Sequence, residues 1–347
     1  MSKILITGGA GFIGSNFIYY CLEKNCKILN FDALTYAGNL NNLKNIKNND
    51  SYTFVKGDIC NKELLDDYLD SFNPDYIVNF AAESHVDRSV DNPYNFIKTN
   101  IIGTYHLLSS SLKYYLNKDD KSEFKFLHIS TDEVFGSLKD SGHFDENTRY
   151  NPSSPYSATK ASSDHLVNAW SKTYNLPVII SNCSNNYGPY QFPEKLIPLI
   201  IQRCLQEKML PIYGDGKNIR DWIYVKDHCD ALYKILDKGS TGERYVIGGN
   251  EEKTNLEVVQ IICKVLDTVK PSTKLNSYTD LIKFVNDRPG HDYRYAINSS
   301  KINKDLNWCP KVDFKKGIIK TINWYIENEI WVENIIDTKY KLSRMGI

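Results

Sequence analysis

The chain of 347 residues carries 42 Lys and Arg against 42 Asp and Glu, and a zero net charge gives no reason to expect a nucleic-acid or anionic-membrane partner. Its length suits two domains, or one large domain with an appended lobe, around a substantial core. Met1-Ser2-Lys3 runs directly into Ile4-Leu5-Ile6, too short for a signal-peptide core, and no apolar stretch is long enough to span a bilayer, so the expected location is cytoplasmic.

Short apolar runs predict strands at residues 4–7, 27–32, 52–57, 76–80, 126–130 and 178–181, alternating with helical stretches. Such alternation implies crossover units and a parallel sheet covered by helices. Residues 39–50, rich in Asn, read as a polar loop. A long helix is predicted over 93–115, where Phe96, Ile97, Ile101, Leu107 and Leu108 give it more apolar surface than a solvated helix needs. After about Asn182 the rhythm breaks at Pro189, Pro193, Pro198 and Pro211. Amphipathic helices follow at 229–236 and 256–265, and a last one near 318–325 packs by Ile318, Ile322 and Tyr325. The expected architecture is α/β: a Rossmann-like, doubly wound parallel sheet in residues 1–182, with a returning segment at roughly 225–260. Residues 183–347 mainly form a smaller, discontinuous C-terminal substrate lobe, with a cleft between the two. Eight cysteines are scattered without a C-x-x-C pair or zinc spacing, so reduced packing residues and no metal site are expected.

Gly8-Gly9-Ala10-Gly11-Phe12-Ile13-Gly14 follows the first strand and opens a helix. Gly8, Gly11 and Gly14 allow a tight turn, close approach of backbone N–H groups to a pyrophosphate, and helix packing on the strand. A glycine triplet alone is weak evidence; Asp32 strengthens it. This carboxylate closes the second strand 18 residues after Gly14, where it can accept from both hydroxyls of an adenosine ribose. No Arg or Lys adjoins it to hold a 2′-phosphate, so NAD is favoured over NADP. Asp58 after the third strand is placed for the adenine edge, and Ala81 and Ala82 are small enough to admit a cofactor against the backbone.

Thr131-Asp132-Glu133 ends the fifth strand, and Tyr156-x-x-x-Lys160 lies 25 residues beyond Thr131. Residues four apart share a helix face, and an ammonium there is expected to lower the tyrosine pKa so that its phenolate can take a hydroxyl proton as hydride leaves the same carbon. A simple dehydrogenase needs no acidic pair beside it. A chain that oxidises a sugar, eliminates water from it and reduces it again needs one acid and one base.

These residues resemble the extended short-chain dehydrogenases/reductases and, within them, the nucleotide-sugar 4,6-dehydratases. The resemblance runs nearly end to end, through Leu34-Thr35-Tyr36-Ala37-Gly38-Asn39-Leu40, Ala81-Ala82-Glu83-Ser84-His85-Val86-Asp87-Arg88-Ser89, Ser130-Thr131-Asp132-Glu133-Val134, Tyr156-Ser157-Ala158-Thr159-Lys160, Asn185-Asn186-Tyr187-Gly188-Pro189-Tyr190-Gln191, Arg220-Asp221-Trp222 and Asp287-Arg288-Pro289-Gly290-His291. Phe135 departs from the family's usual tyrosine, and a packing change is expected there. The resemblance implies that Tyr156, with Thr131 bonded to the same oxygen, takes the sugar 4-hydroxyl proton while NAD accepts the hydride. Glu133 then removes the C5 proton, Asp132 protonates the departing 6-hydroxyl, and hydride returns to C6. For this, Asp132 must hold a proton near neutral pH, with repulsion from Glu133 as the expected cause.

The same resemblance puts Phe12, Ile13, Thr35, Ile59, Ser84, Thr99 and Asn186 around the cofactor along with Tyr156 and Lys160. It puts Ser84, Thr131, Asn185, Lys195, Leu196, Pro211, Ile212, Tyr213, Arg220, Asn255, Asp287, Arg288 and His291 around a nucleoside diphosphate glucose. Guanidinium pairs bidentately with a diphosphate, which suits Arg220 and Arg288; Tyr213 is placed to stack on the base. A homodimer is implied through the 93–115 helix and the one carrying Lys160. Two rivals stay open: a nucleotide-sugar 4-epimerase, which has no use for the acid/base pair, and a non-catalytic NAD-binding regulator, which would be free to lose it. A related decarboxylase has no use for Asp132. Thymidine and uridine nucleotides differ too little for residue identity to separate them, although residues 34–40 lean toward thymidine.

Overall fold

The computed structural model describes residues 1–287 and 290–339. Its strands are β1 (Lys3–Thr7), β2 (Lys27–Asp32), β3 (Tyr52–Lys56), β4 (Tyr76–Asn79), β5 (Lys125–Thr131), β6 (Val178–Cys183), β7 (Asn185–Tyr187), β8 (Leu210–Tyr213), β9 (Ile219–Tyr224), β10 (Arg244–Ile247), β11 (Glu252–Thr254) and β12 (Ile282–Val285). Seven of them form an all-parallel sheet in the order β10-β6-β5-β4-β1-β2-β3. The central strands are buried along both faces, which is why they read as continuous apolar runs without alternation. Strand order reverses between β1 and β4, and a crevice opens beyond the carboxyl ends of such strands.

Two strands outrun their predicted ends. β5 continues to Thr131 and β6 to Cys183, with Thr131 opposite Cys183 in the register. The seventh strand was not foreseen: β10 is a four-residue run between the helices expected at 229–236 and 256–265. It is brought back by the helix Val225–Lys238, which packs on the helix Phe12–Glu23 and is tied to it by Tyr20 donating to Asp230 at 2.7 Å. A second core gathers Tyr187, Trp222, Tyr224 and Phe314 with one face of the helix Asn255–Val269. The sheet β11-β9-β7 and the parallel pair β12-β8 belong to it. Gly317 is required there, because a Cβ would lie 2.0 Å from the Tyr187 hydroxyl.

The long helix after β4 exists, with an irregularity that periodicity did not show. Pro93–Phe96 runs into a π-helical stretch, Ile97–Gly103, and then into Thr104–Asn117. Such turns often occur at functional sites. Here the π turn carries Asn100, whose side chain clamps the backbone of Glu83 at 2.9 and 3.0 Å and reaches Thr159 at 3.0 Å. The eight cysteines are unpaired, and among the described residues no helix is long and apolar enough to cross a membrane.

Two buried histidines give the fold a pH dependence. Burial, with Lys160 adding to it, pushes His128 down to about 4, and burial alone pushes His228 down to about 3. Both are neutral at pH 7. A group whose folded-state pKa is depressed contributes stability that is present above its unfolded pKa of 6.5 and lost as pH falls through the folded value. For His128 the loss amounts to roughly 3 kcal/mol. The thermal unfolding midpoint is therefore expected to fall steeply as pH drops from 6.5 to 4, with a shallower slope in His128→Asn; an unchanged slope would clear His128 of this effect.

Candidate active site

A cleft of about 320 Å³ opens at the carboxyl ends of β1, β2, β4, β5 and β6. At its base Gly8 has φ +71°, and a Cβ there would lie 2.6 Å from the Ala81 nitrogen. A Cβ on Gly14 would lie 2.4 Å from the Gly8 carbonyl oxygen. The helix Phe12–Glu23 starts on Gly11, which offers no side chain to the first-turn amides. Its positive end therefore faces the cleft as an anion site. Asp32 is fixed by its backbone neighbours: Ala10 and Leu34 donate to its two oxygens, each at 2.8 Å. Phe12, Ile13, Thr35, Asp58, Ile59, Ala81, Ala82, Ser84, Thr99 and Asn186 border the same cleft, with Asn186 oriented by His228 at 2.9 Å. A glycine cradle too tight for side chains, an uncapped helix start and a fixed carboxylate fit a dinucleotide.

Thr131, Asp132, Glu133, Tyr156 and Lys160 line this cleft as well. Ser154 and Ser157 form a reciprocal cap that starts the helix Pro155–Tyr174, and this places Tyr156 and Lys160 on its inner face. Thr131 ends β5 and accepts from the Glu133 amide at 3.2 Å, which fixes the tight turn that follows. Asp132 is 2 % exposed, and its Oδ2 is buried without a hydrogen-bond partner. Its carboxyl is held well above the usual range, first by burial, then by the charges of Glu133 and Asp221; Arg220 and a Thr131 hydrogen bond pull the other way. Repulsion from Glu133 was the expected cause, but removal from water comes first. The tyrosine also differs from expectation. Burial, then Glu133, Cys183 and Asp132, raise its hydroxyl well above 10, and only Thr131 is seen to lower it. Lys160 donates to the Ile129 carbonyl at 2.8 Å and is itself pushed down by burial. The ammonium is thus tied to the backbone, and the resting phenol is protonated.

Ser84, Asn185 and Lys195 share the cleft, with Lys195 donating to the Ser84 carbonyl at 3.1 Å. Leu196, Pro211, Ile212, Tyr213, Arg220, Asn255, Asp287 and His291 are not in its lining. Several form an adjoining wall. The parallel pairing of Tyr213 with Val285 brings Asp287 and His291 to Tyr213, with the His291 ring 6.2 Å from the tyrosine ring and 2.6 Å from Asp287. Arg220 is buried over Tyr295, 4.2 Å from its ring centre, and donates to the carbonyls of Ile219, Asp292 and Tyr293. Its charge reaches Asp132, so the wall meets the cleft at the acid. Arg288 lies outside the described residues. Phe135, the departure noted above, is buried against Phe144 and Tyr150.

Some lining residues were not anticipated. Cys183 was missed because β6 was ended two residues early; the parallel register would have placed it beside Thr131. Glu194 is buried in the cleft lining, where it accepts from Arg88 at 3.1 and 3.3 Å. Arg88 in turn lies 3.9 Å above the Tyr36 ring. No local pattern announces this, since the three residues come from separate segments.

The GDP-mannose 4,6 dehydratase family model matches residues 5–321. A dTDP-glucose 4,6-dehydratase of Xanthomonas campestris pv. campestris is 51% identical over 348 residues, covering 100% of this chain and 99% of the relative. The crystal structure of a Bacillus anthracis dTDP-glucose 4,6-dehydratase in complex with NAD superposes with a TM-score of 0.86 at 49% identity, covering 96% of this chain and 100% of the other. A Streptomyces venezuelae dTDP-glucose 4,6-dehydratase with NAD bound gives 0.88 at 42%, covering 96% and 99%. With half of its residues shared along the full length of a curated relative, this chain belongs to the dTDP-glucose 4,6-dehydratases of the extended short-chain dehydrogenase/reductase superfamily.

Proposed function

We propose that the protein is an NAD-dependent lyase that converts dTDP-glucose to the 4-keto-6-deoxy sugar nucleotide, an early step toward a deoxysugar. The observation that carries this reading is the buried, proton-retaining Asp132 beside Glu133 in the cleft that holds Tyr156. An epimerase has no step that needs that acid. The glycine cradle and Asp32 hold the dinucleotide; when bound, NAD accepts a hydride from C4 and gives it back to C6. Tyr156 first releases its own phenol proton to solvent and, as phenolate, takes the 4-hydroxyl proton, with Thr131 bonded to the same oxygen. Once C4 is a ketone the C5 hydrogen is acidic, and Glu133 removes it. Asp132 gives its proton to the leaving 6-hydroxyl, and water departs across C5 and C6. Burial first, then the charges of Glu133 and Asp221, favour the protonated carboxyl, which is the form the acid needs.

The wall at Tyr213, Arg220, Asn255, Asp287 and His291 is proposed to receive the nucleoside diphosphate. Residues 1–182 with the returning helix and β10 are proposed as the nucleotide domain, the remainder mainly as the substrate lobe, and the cytoplasm as the location. Incubation with dTDP-glucose in deuterated water, followed by NMR, tests the activity. Deuterium at C5 of a 6-deoxy-4-keto product is expected; a galacto epimer alone would overturn the dehydratase reading.

A homodimer is proposed through the helix pair of the long π-interrupted segment and Pro155–Tyr174. Tyr94, Ile97, Ile102, Tyr105 and Tyr174 are all between 44% and 68% exposed on it. Tyr105 packs edge-on to Trp170, which joins the two helices into one apolar face. Light scattering at micromolar concentration is expected to give twice the chain mass, and a monomer would refute the pairing.

A further inference from the structure

We propose that Asp164 is a positioning residue whose buried carboxylate is the counter-charge that keeps Lys160 cationic beside Tyr156. The inference rests on the roles proposed above for Tyr156 and Lys160.

Asp164 lies four residues after Lys160 and eight after Tyr156 in the helix Pro155–Tyr174, so the three share one face. It is wholly buried, where an unpaired carboxylate is strongly disfavoured. Its Oδ2 accepts from Ser130 at 2.9 Å, Tyr150 at 2.6 Å and Asn182 at 3.1 Å. Its Oδ1 faces His128 Nε2 at 3.3 Å. Hydrogen bonds direct this arrangement across the sheet. Thr7 donates to the Asn79 carbonyl oxygen at 2.6 Å, which turns the Asn79 amide nitrogen toward His128 Nδ1 at 3.2 Å. His128 therefore accepts at Nδ1 and carries its proton on Nε2, pointing at Asp164 and Ser163.

His128 is neutral at pH 7, so it orients the carboxylate without neutralising it. Among the described residues no Lys or Arg lies within ion-pair distance of Asp164, and Arg244 sits beyond it over the Tyr150 ring. Burial pushes Asp164 up, but the hydrogen bond from His128, then Lys160 and Tyr150, hold it below the usual carboxylate range. In the other direction, burial pushes Lys160 down and Asp164 is the first group opposing it. Cys183 opposes it too, but that thiol is pushed up to about 12 and has no charge at neutral pH. The groups facing this pair are Tyr156 on the same helix; His128, Asp132 and Glu133 on and after β5; Tyr150 with Arg244 behind it; and Cys183 on β6. Of these, Asp132 has its protonated form favoured, first by burial and then by Glu133 and Asp221. The attraction acts across a low-dielectric gap, where charge is screened little.

The test is a titration of Lys160 in the NAD-loaded enzyme. The lysine side-chain carbons are labelled with ¹³C, and the Lys160 signal is assigned by its absence in Lys160→Met. In Asp164→Asn the midpoint is expected at least about one pH unit lower, and the alkaline limb of kcat moves down with it while KM changes little. Asp164→Ser also removes the charge and keeps a hydroxyl among the same donors; it is expected to move the midpoint the same way, and it decides the matter if Asp164→Asn does not fold. A Lys160 midpoint unmoved in either folded variant, or a kcat lowered equally at every pH, would overturn the proposal and leave Asp164 a packing residue. The NMR midpoint needs no turnover, so a wild-type enzyme inert toward dTDP-glucose would sink the activity and leave this result readable.

Discussion

Tyr156→Phe is expected to lower kcat by about 10³-fold or more, because it removes the one group placed to take the 4-hydroxyl proton. The phenol is 7 % exposed and protonated at rest. Its proton must leave to solvent before the phenolate can act, in a site where burial and then Glu133 oppose the negative form. The fold should be unaffected, since the helix is started by the Ser154–Ser157 cap and Pro155, and the Tyr156 ring still packs on Phe96. Steady-state turnover of dTDP-glucose measures the loss, with thermal unfolding as the control. Activity within tenfold of wild type would remove Tyr156 from the mechanism.

The acid and base are expected to separate in Asp132→Asn and Glu133→Gln. Glu133→Gln should abolish deuterium exchange at C5, because an amide is no base. Asp132→Asn should keep part of that exchange while losing water elimination, by about 10²-fold or more, because an amide gives no proton to the 6-hydroxyl. NMR of the sugar in deuterated water reads both steps in one sample. Wild-type rates of exchange and elimination in both variants would remove this pair from the chemistry. The pH dependence has a definite sign: the acid acts protonated, so elimination falls as pH rises through the elevated Asp132 pKa. Relief of Glu133's charge alone should not abolish Asp132's proton affinity, since burial is its larger cause.

Motifs that act within a few residues of chain were legible from the sequence. Gly8, Gly11 and Gly14 announce a turn too tight for a Cβ, and the structure has backbone within 2.4 to 3.3 Å of where each Cβ would be. Asp32 at a strand end and the four-residue spacing of Tyr156 and Lys160 are equally local. β10 was not foreseen although Gly242 and Gly248-Gly249-Asn250 bound it, because a run of four residues takes its strand character from pairing with β6 beside it. The π turn at Ile97–Gly103 was also hidden, since its purpose is to aim Asn100 at Glu83 and Thr159, two distant segments.

The sequence by itself picked out the residues proposed for the reaction and the glycine turn proposed to cradle the cofactor's phosphates, because hydrogen-bonding geometry and helical spacing are set by neighbours along the chain. Only the tertiary structure decided their protonation. Asp132 is kept neutral chiefly by removal from water, and Lys160 is bonded to Ile129 across from Asp164. Those effects depend on which groups β5, β6, β9 and the helix Pro155–Tyr174 bury together, and desolvation is a property of the packed site that no single stretch of sequence carries.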